Sequence, residues 1–88
     1  MTKVEIYTTL FCPFCHMAKA LLREKGIDFI EIDVTMNSAK RQDMAARAGG
    51  RGTVPQIFIA GEGIGGCEEL SALIHEGRFD RMMGLAEG

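Results

Sequence analysis

The chain has 88 residues, 47% of them hydrophobic and 25% charged, with a formal net charge of −2. That length holds a single domain, residues 1–88, with no room for a second. The charge leaves no basic footprint for nucleic acid or an anionic membrane, and no run approaches the ~20 apolar residues of a bilayer-spanning helix. Three cysteines are too few, and odd in number, for a secreted disulfide framework. Met1-Thr2-Lys3 runs straight into a strand pattern with no apolar leader, so a reducing, cytoplasmic setting is expected.

Lys3 to Tyr7 alternates as a half-buried strand would, with Val4 and Ile6 on one side and Lys3, Glu5 and Tyr7 on the other. Phe14, Met17, Ala18, Leu21 and Leu22 then recur at helical spacing, and Pro13 suits the first helical position, where its missing N–H costs nothing. Lys25-Gly26 predicts the helix end. Ile30, Ile32 and Val34 alternate with Glu31 and Asp33 as a second strand, and residues 35–38 offer caps for an alanine-rich helix ending near Gly49-Gly50. Ile57-Phe58-Ile59 reads as a central strand buried on both faces. Residues 60–63 read as a hairpin turn into a short strand at Ile64. Gly65-Gly66 opens a helix with Cys67, Leu70, Ser71 and Ile74 on one face and Leu73 beside them. An amphipathic segment from Phe79 to Leu85 follows, and residues 86–88 are expected to fray. The order is β-α-β-α-β-β-α plus a last helix. Its first βαβ unit should be parallel and right-handed, and its last two strands antiparallel.

The chemistry concentrates at Phe11-Cys12-Pro13-Phe14-Cys15-His16. A Cys-x-x-Cys pair at a strand-to-helix turn is a redox signal. Cys12 falls at the helix start, where free N–H groups stabilise a thiolate, the reactive species. Cys15 lies one turn on, within reach of a disulfide. A zinc site would want four ligands, and His16, Cys67 and His75 lack the spacing to complete one, so no metal is expected. Two further features are less decided. Thr53-Val54-Pro55 reads as a strand starter, and a cis X–Pro bond has a base rate of only ~5–6%. Gly65-Gly66-Cys67-Glu68-Glu69 is either an anion-receiving helix start or a flexible turn.

Taken in order and spacing, Cys12-Pro13-Phe14-Cys15, Thr53-Val54-Pro55 and Gly65-Gly66-Cys67-Glu68 resemble a short dithiol glutaredoxin of the bacterial type along essentially the whole chain. The resemblance implies an α/β, thioredoxin-like fold: a four-stranded mixed sheet in the order second, first, third, fourth strand, flanked by helices, with a cis Val54–Pro55 bond opposite the thiols. It implies a glutathione-dependent thiol–disulfide oxidoreductase acting on protein disulfides and protein–glutathione mixed disulfides, with Cys12 as nucleophile and Cys15 as resolving thiol. Pro13, Phe14, Thr53, Val54, Pro55, Gly66, Cys67 and Glu68 would contact glutathione. The backbone N–H groups of Cys67 and Glu68 would take its γ-glutamyl carboxylate, and Arg41 by position, or Arg51, its glycyl carboxylate. The resemblance further implies glutathione as a co-substrate, no tightly bound cofactor, and glutathione reductase and NADPH upstream, and the chain is expected to be a monomer.

Three departures from the family pattern stand out. Phe14 replaces the usual tyrosine, Thr8-Thr9-Leu10 stands where many relatives carry a lysine, and Glu68 replaces aspartate. Cys67 reads either as a small residue packed at a helix start or as a third redox thiol. His16 and His75 are expected on helix surfaces, and the six methionines as core filler and surface. Two rivals to a glutathione-recharged enzyme stand open, the first close to it and the second of another class. One is a thioredoxin-like donor recharged by a flavoprotein, which the absence of tryptophan disfavours. The other is an iron–sulfur carrier ligated through Cys12, which Pro13 in a dithiol motif disfavours by family resemblance.

Overall fold

A computed structural model describes residues 2–85. Its elements are β1 (Val4–Thr8), α1 (Pro13–Glu24), β2 (Ile30–Asp33), α2 (Ser38–Arg47), β3 (Gln56–Ile59), β4 (Glu62–Gly65), α3 (Cys67–His75) and α4 (Arg78–Met83). They form one four-stranded mixed sheet in the order β2-β1-β3-β4. β1 runs parallel to β2, with Tyr7 opposite Ile32, and antiparallel to β3, with Ile6 opposite Ile57. β3 and β4 pair antiparallel around a two-residue turn, Ala60-Gly61, which is shorter than the four-residue turn the sequence suggests. The expected fraying of residues 86–88 lies outside the described residues.

Two apolar layers sandwich the sheet. On one face Val4, Ile6, Ile57 and Ile59 meet Ala18 and Leu22 of α1, Leu70 of α3 and Phe79 of α4. On the other, Tyr7 and Phe58 pack with Val34 and with Met44 of α2. Tyr7 lies on the face opposite Val4 and Ile6, as expected, but the strand is not half-buried: that face is covered too, and Tyr7 is buried in it. The cause is α2, whose Arg47 reaches back across the sheet. Arg47 Nη1 donates to the Tyr7 hydroxyl at 2.9 Å, Nη2 to Glu5 Oε1 at 3.0 Å, and the guanidinium lies 4.1 Å from the Phe58 ring centroid. A long basic side chain thus covers apolar surface while its charge is paired.

The helix ends follow from local chemistry. At the close of α1, Gly26 has φ +71, and the N–H groups of Gly26 and Ile27 donate to the carbonyls of Arg23 and Leu22. This is the left-handed glycine stop that Lys25-Gly26 predicts. α2 starts where the Asn37 side chain accepts the Lys40 N–H at 3.0 Å. On α3 one expectation is corrected: Cys67 and Leu70 face the core, but Ser71 is exposed. His16 and His75 are exposed on their helices, as expected.

Candidate active site

Cys12 closes the loop that leaves β1 and is the N-cap of α1, in extended backbone conformation (φ −126°, ψ 102°). A helix start leaves its first N–H groups without intrahelical partners. Here the Cys15 N–H donates to Cys12 Sγ at 3.2 Å, so a sulfur takes the place of the usual capping oxygen. The Cys12 thiol in turn donates to the Val54 carbonyl at 3.7 Å. The loop is tied down on its other side: the Leu10 N–H donates to Thr35 Oγ1 at 2.9 Å, and His16 Nε2 lies 3.2 Å from the Leu10 carbonyl.

Cys15 is fully buried. Burial, and then its hydrogen bond with Cys12, push its thiol up to about 12, although the Thr9 N–H and the Lys19 charge pull the other way. Cys15 therefore keeps its proton at neutral pH and can offer it to the neighbouring sulfur. Lys19, one turn beyond Cys15, donates to Glu31 Oε2 at 2.9 Å, and the same oxygen accepts from Thr8 at 2.7 Å. These bonds hold the Glu31 carboxyl below its ordinary range. Sequence reasoning missed this cation. The motif lacks a lysine before Cys12, but the chain carries one after it, and the four-residue spacing from Cys15 is the signal that would have found it.

Val54–Pro55 is cis, as the resemblance implied. Val54 is half-buried, Pro55 buried, and exposed Thr53 accepts at Oγ1 from Gln56 Nε2 at 3.3 Å. Next to this segment lies the start of α3. Gly65 has φ +106, and a Cβ there would come within 2.8 Å of the Glu69 side chain, so only glycine serves. The reason for the crowding is that Glu69 folds back: the Gly66 N–H donates to Glu69 Oε1 at 2.7 Å. That bond holds the Glu69 carboxyl below its ordinary value of 4.5. The Gly66 donor is thus occupied. The N–H groups of Cys67 and Glu68, in the first turn of α3, take no intrahelical partner. Cys67 itself is buried, and burial, then the charge of Cys12, then that of Glu69, push its thiol up.

Between these parts runs an open groove of about 950 Å³. Phe14 (61% exposed) walls it on the α1 side, Val54 and Pro55 on the loop side, and Gly66, Cys67 and Glu68 at the helix start. Arg51 lines it and sits 3.8 Å from Glu69 Oε2. Arg41 is absent from the lining; its Nε donates to the Gly52 carbonyl at 3.0 Å, anchoring the loop that carries Thr53. Pro13, exposed beside Cys12, is absent from the lining too.

Residues 4–64 match the family model for glutaredoxin. The chain belongs to the glutaredoxin family. It is 52% identical over 83 residues to glutaredoxin 3 of Escherichia coli K12, covering 94% of this chain and 99% of that protein. It is similar to the solution structure of glutaredoxin from Brucella melitensis, at 46% identity and a TM-score of 0.82, covering 94% and 89% of the two chains. The fold is likewise that of a buckwheat glutaredoxin–glutathione complex (TM-score 0.85, 23% identity, covering 94% and 77%). As a glutaredoxin the protein is a thiol–disulfide oxidoreductase that depends on glutathione.

Proposed function

We propose that Cys12 is the nucleophile and Cys15 the resolving thiol of a dithiol glutaredoxin reducing protein disulfides and protein–glutathione mixed disulfides. The observation that supports this most directly is the Cys15 N–H donating to Cys12 Sγ at the start of α1, with Cys15 itself fully buried. On a protein disulfide, the Cys12 thiolate attacks one sulfur, a Cys12–substrate disulfide forms, and the other substrate sulfur leaves as thiolate and takes a proton. Cys15 then gives up its proton and attacks Cys12 Sγ. The second substrate thiolate leaves, and the Cys12–Cys15 disulfide carries the two electron equivalents of oxidation. One glutathione thiolate reopens it as a Cys12–glutathione disulfide, and a second releases Cys12 with oxidised glutathione. Glutaredoxin potentials of roughly −200 to −230 mV allow the glutathione pool to do this. On a glutathione mixed disulfide, Cys12 takes the glutathionyl group directly and Cys15 is not needed.

Glutathione would lie along Val54, pairing with its backbone as a short added strand, with Thr53, Pro55, Pro13 and the face of Phe14 bounding it. The N–H groups of Cys67 and Glu68, beside Gly66, would receive the γ-glutamyl carboxylate. Arg51, lining the groove, would face the glycyl carboxylate, while Arg41 holds the loop in place through Gly52. The enzyme would act as a monomer of one domain, in the cytoplasm, with no resident cofactor and with glutathione reductase and NADPH upstream. Among the described residues no helix is long and apolar enough to cross a membrane. The deciding experiment follows NADPH oxidation with glutathione, glutathione reductase and a small glutathione mixed disulfide. Turnover that needs glutathione is expected. Turnover only with thioredoxin reductase would overturn the reading.

A further inference from the structure

The groove is longer than glutathione needs. Glutathione carries its sulfur on its central residue, so only one residue extends to each side of a disulfide with Cys12. The groove instead continues along the outer stripe of α1, where Phe14, Met17, Leu21 and Glu24 follow at helical spacing. Ten residues of helix separate Phe14 from Glu24, about 15 Å at 1.5 Å per residue. An extended polypeptide covers that distance in roughly four or five residues. The far half is floored by Ala20 and Leu21 of α1 and Ala72 of α3, where the two alanines leave it open, and it is rimmed by Glu24 and Glu76.

The rim is electrostatically unbalanced. Among the described residues Glu24 makes no ion pair, and Glu76 meets only Arg78, at 3.5 Å, with both side chains more than half exposed. Such exposed pairs are weak and exchange readily. The groove's arginine, Arg51, is at the opposite end against Glu69, and His75 is the one other basic side chain in the lining. An apolar floor under unpaired carboxylates suits a long cationic side chain, which lays its aliphatic stem on the floor and its charge on the rim.

Resting on the assignment of Cys12 as nucleophile, we propose that the far half of the groove docks the polypeptide of a disulfide substrate. It takes an arginine or lysine three to five residues from the cysteine joined to Cys12. The lining stops short of Cys12 itself, but it includes Phe14, two residues on, and Val54, whose carbonyl accepts from the Cys12 thiol, so a segment joined to Cys12 can enter the groove. Glutathione does not reach it, and the two substrate classes are therefore separable by mutation.

The test uses peptides whose single cysteine is capped with thionitrobenzoate, identical except for arginine or glutamate four residues to either side. Attack by Cys12 in Cys15→Ser protein releases the coloured thiolate and leaves the peptide on Cys12. On one side at least, the arginine peptide is expected to react about tenfold faster than its glutamate twin. Glu24→Lys/Glu76→Lys should abolish or invert that preference, while Asp28→Lys/Asp43→Lys, the same charge change at exposed positions outside the groove, should keep it. Equal rates for the two peptides in the parent protein, or equal loss in both double variants, would overturn the subsite. With Cys15 intact, Glu24→Lys/Glu76→Lys should turn over a small glutathione mixed disulfide within twofold of the parent; a larger loss would count against the separation of the two sites. Failure of the parent itself on that small substrate sinks the glutathione reading, whereas the peptide preference alone decides the subsite.

Discussion

The starts of α1 and α3 border one groove and use the same physical device to different ends. Each exposes first-turn N–H groups that favour negative charge. At α1 no acidic residue occupies the first turn, the cap is Cys12, and a backbone N–H is committed to its sulfur. At α3 the first turn holds Glu68 and Glu69, and Glu69 bends back to take the Gly66 N–H. One helix start is thus reserved for a reactive anion, while the other neutralises part of its own field and leaves fewer donors for a ligand carboxylate. A helix N-terminus becomes a reactive site or a binding site according to what the chain itself places in the first turn.

Exchanging the sulfur at the α1 start breaks the comparison most severely. Cys12→Ser should lower thiol transfer by on the order of a thousandfold or more, since no other accessible thiol has those N–H groups. Cys15→Ser should split the two reactions. Turnover of a glutathione mixed disulfide persists, because a second glutathione does the resolving. Protein disulfide reduction stalls, and the substrate accumulates on Cys12 as a band on a non-reducing gel. Equal loss of both activities would refute the dithiol scheme.

Alkylation sharpens the contrast within α1. With burial pushing its thiol up to about 12, Cys15 stays protonated at pH 7, and only the thiolate reacts. Iodoacetamide at pH 6–7 followed by peptide mapping should label Cys12 at least thirtyfold faster than Cys15, an order-of-magnitude expectation from the thiolate requirement. Preferential labelling of Cys15 would reverse the assignment.

The parts of this site that were legible in the sequence are those set by short-range chemistry. Pro13 after Cys12, the Gly26 stop and the apolar run at Ile57 to Ile59 each specify a local conformation, and right-handed βαβ connection then restricts the topology. The remainder depends on side chains that meet from distant elements. Tyr7 looks outward until Arg47 of α2 arrives over Phe58. Lys19 looks like a solvated helix residue until Glu31 and Thr8 of the neighbouring strands converge on it. Choosing between Arg41 and Arg51 needs the path of the glycine-rich loop, which the residues leave open until Arg41 binds the Gly52 carbonyl. Glu69 is the exception: a glutamate three residues after the cap is the spacing of a reciprocal cap, so that signal was present.

Removing Glu69 tests the α3 side. Glu69→Ala should destabilise the fold by about 1 kcal/mol, the usual worth of a cap, while leaving kcat within twofold. The carboxyl is held below its ordinary 4.5 in the fold, so its contribution is present above that value and is lost as pH falls through the lower, folded-state value. Urea titrations should therefore show the gap between parent and Glu69→Ala closing as the pH falls below 4.5. Glu69→Gln, which can still accept the Gly66 N–H, should keep most of the neutral bond and lack the pH-dependent part. A gap that is constant from pH 7 to pH 3 would show that the charge at this helix start is irrelevant.

The smallest effect belongs to Cys67, where the two halves of the comparison meet. It is a cysteine at the first position of a helix, as a reactive thiol would be, yet it lies one residue past the cap rather than on it. Its side chain points into the core with Leu70 and Ala18. Burial and the nearby charges of Cys12 and Glu69 push its thiol up, so the helix field does not make it a nucleophile. In the proposed site it contributes a backbone N–H, which serine preserves. Cys67→Ser should leave kcat/KM for a glutathione mixed disulfide within about threefold of the parent, under ~0.7 kcal/mol of transition-state stabilisation. A small loss of stability should accompany it, because a hydroxyl replaces an apolar thiol. A tenfold loss of turnover with unchanged stability would mean that the thiol takes part in the reaction, and that position at the helix start outweighs burial in setting cysteine reactivity.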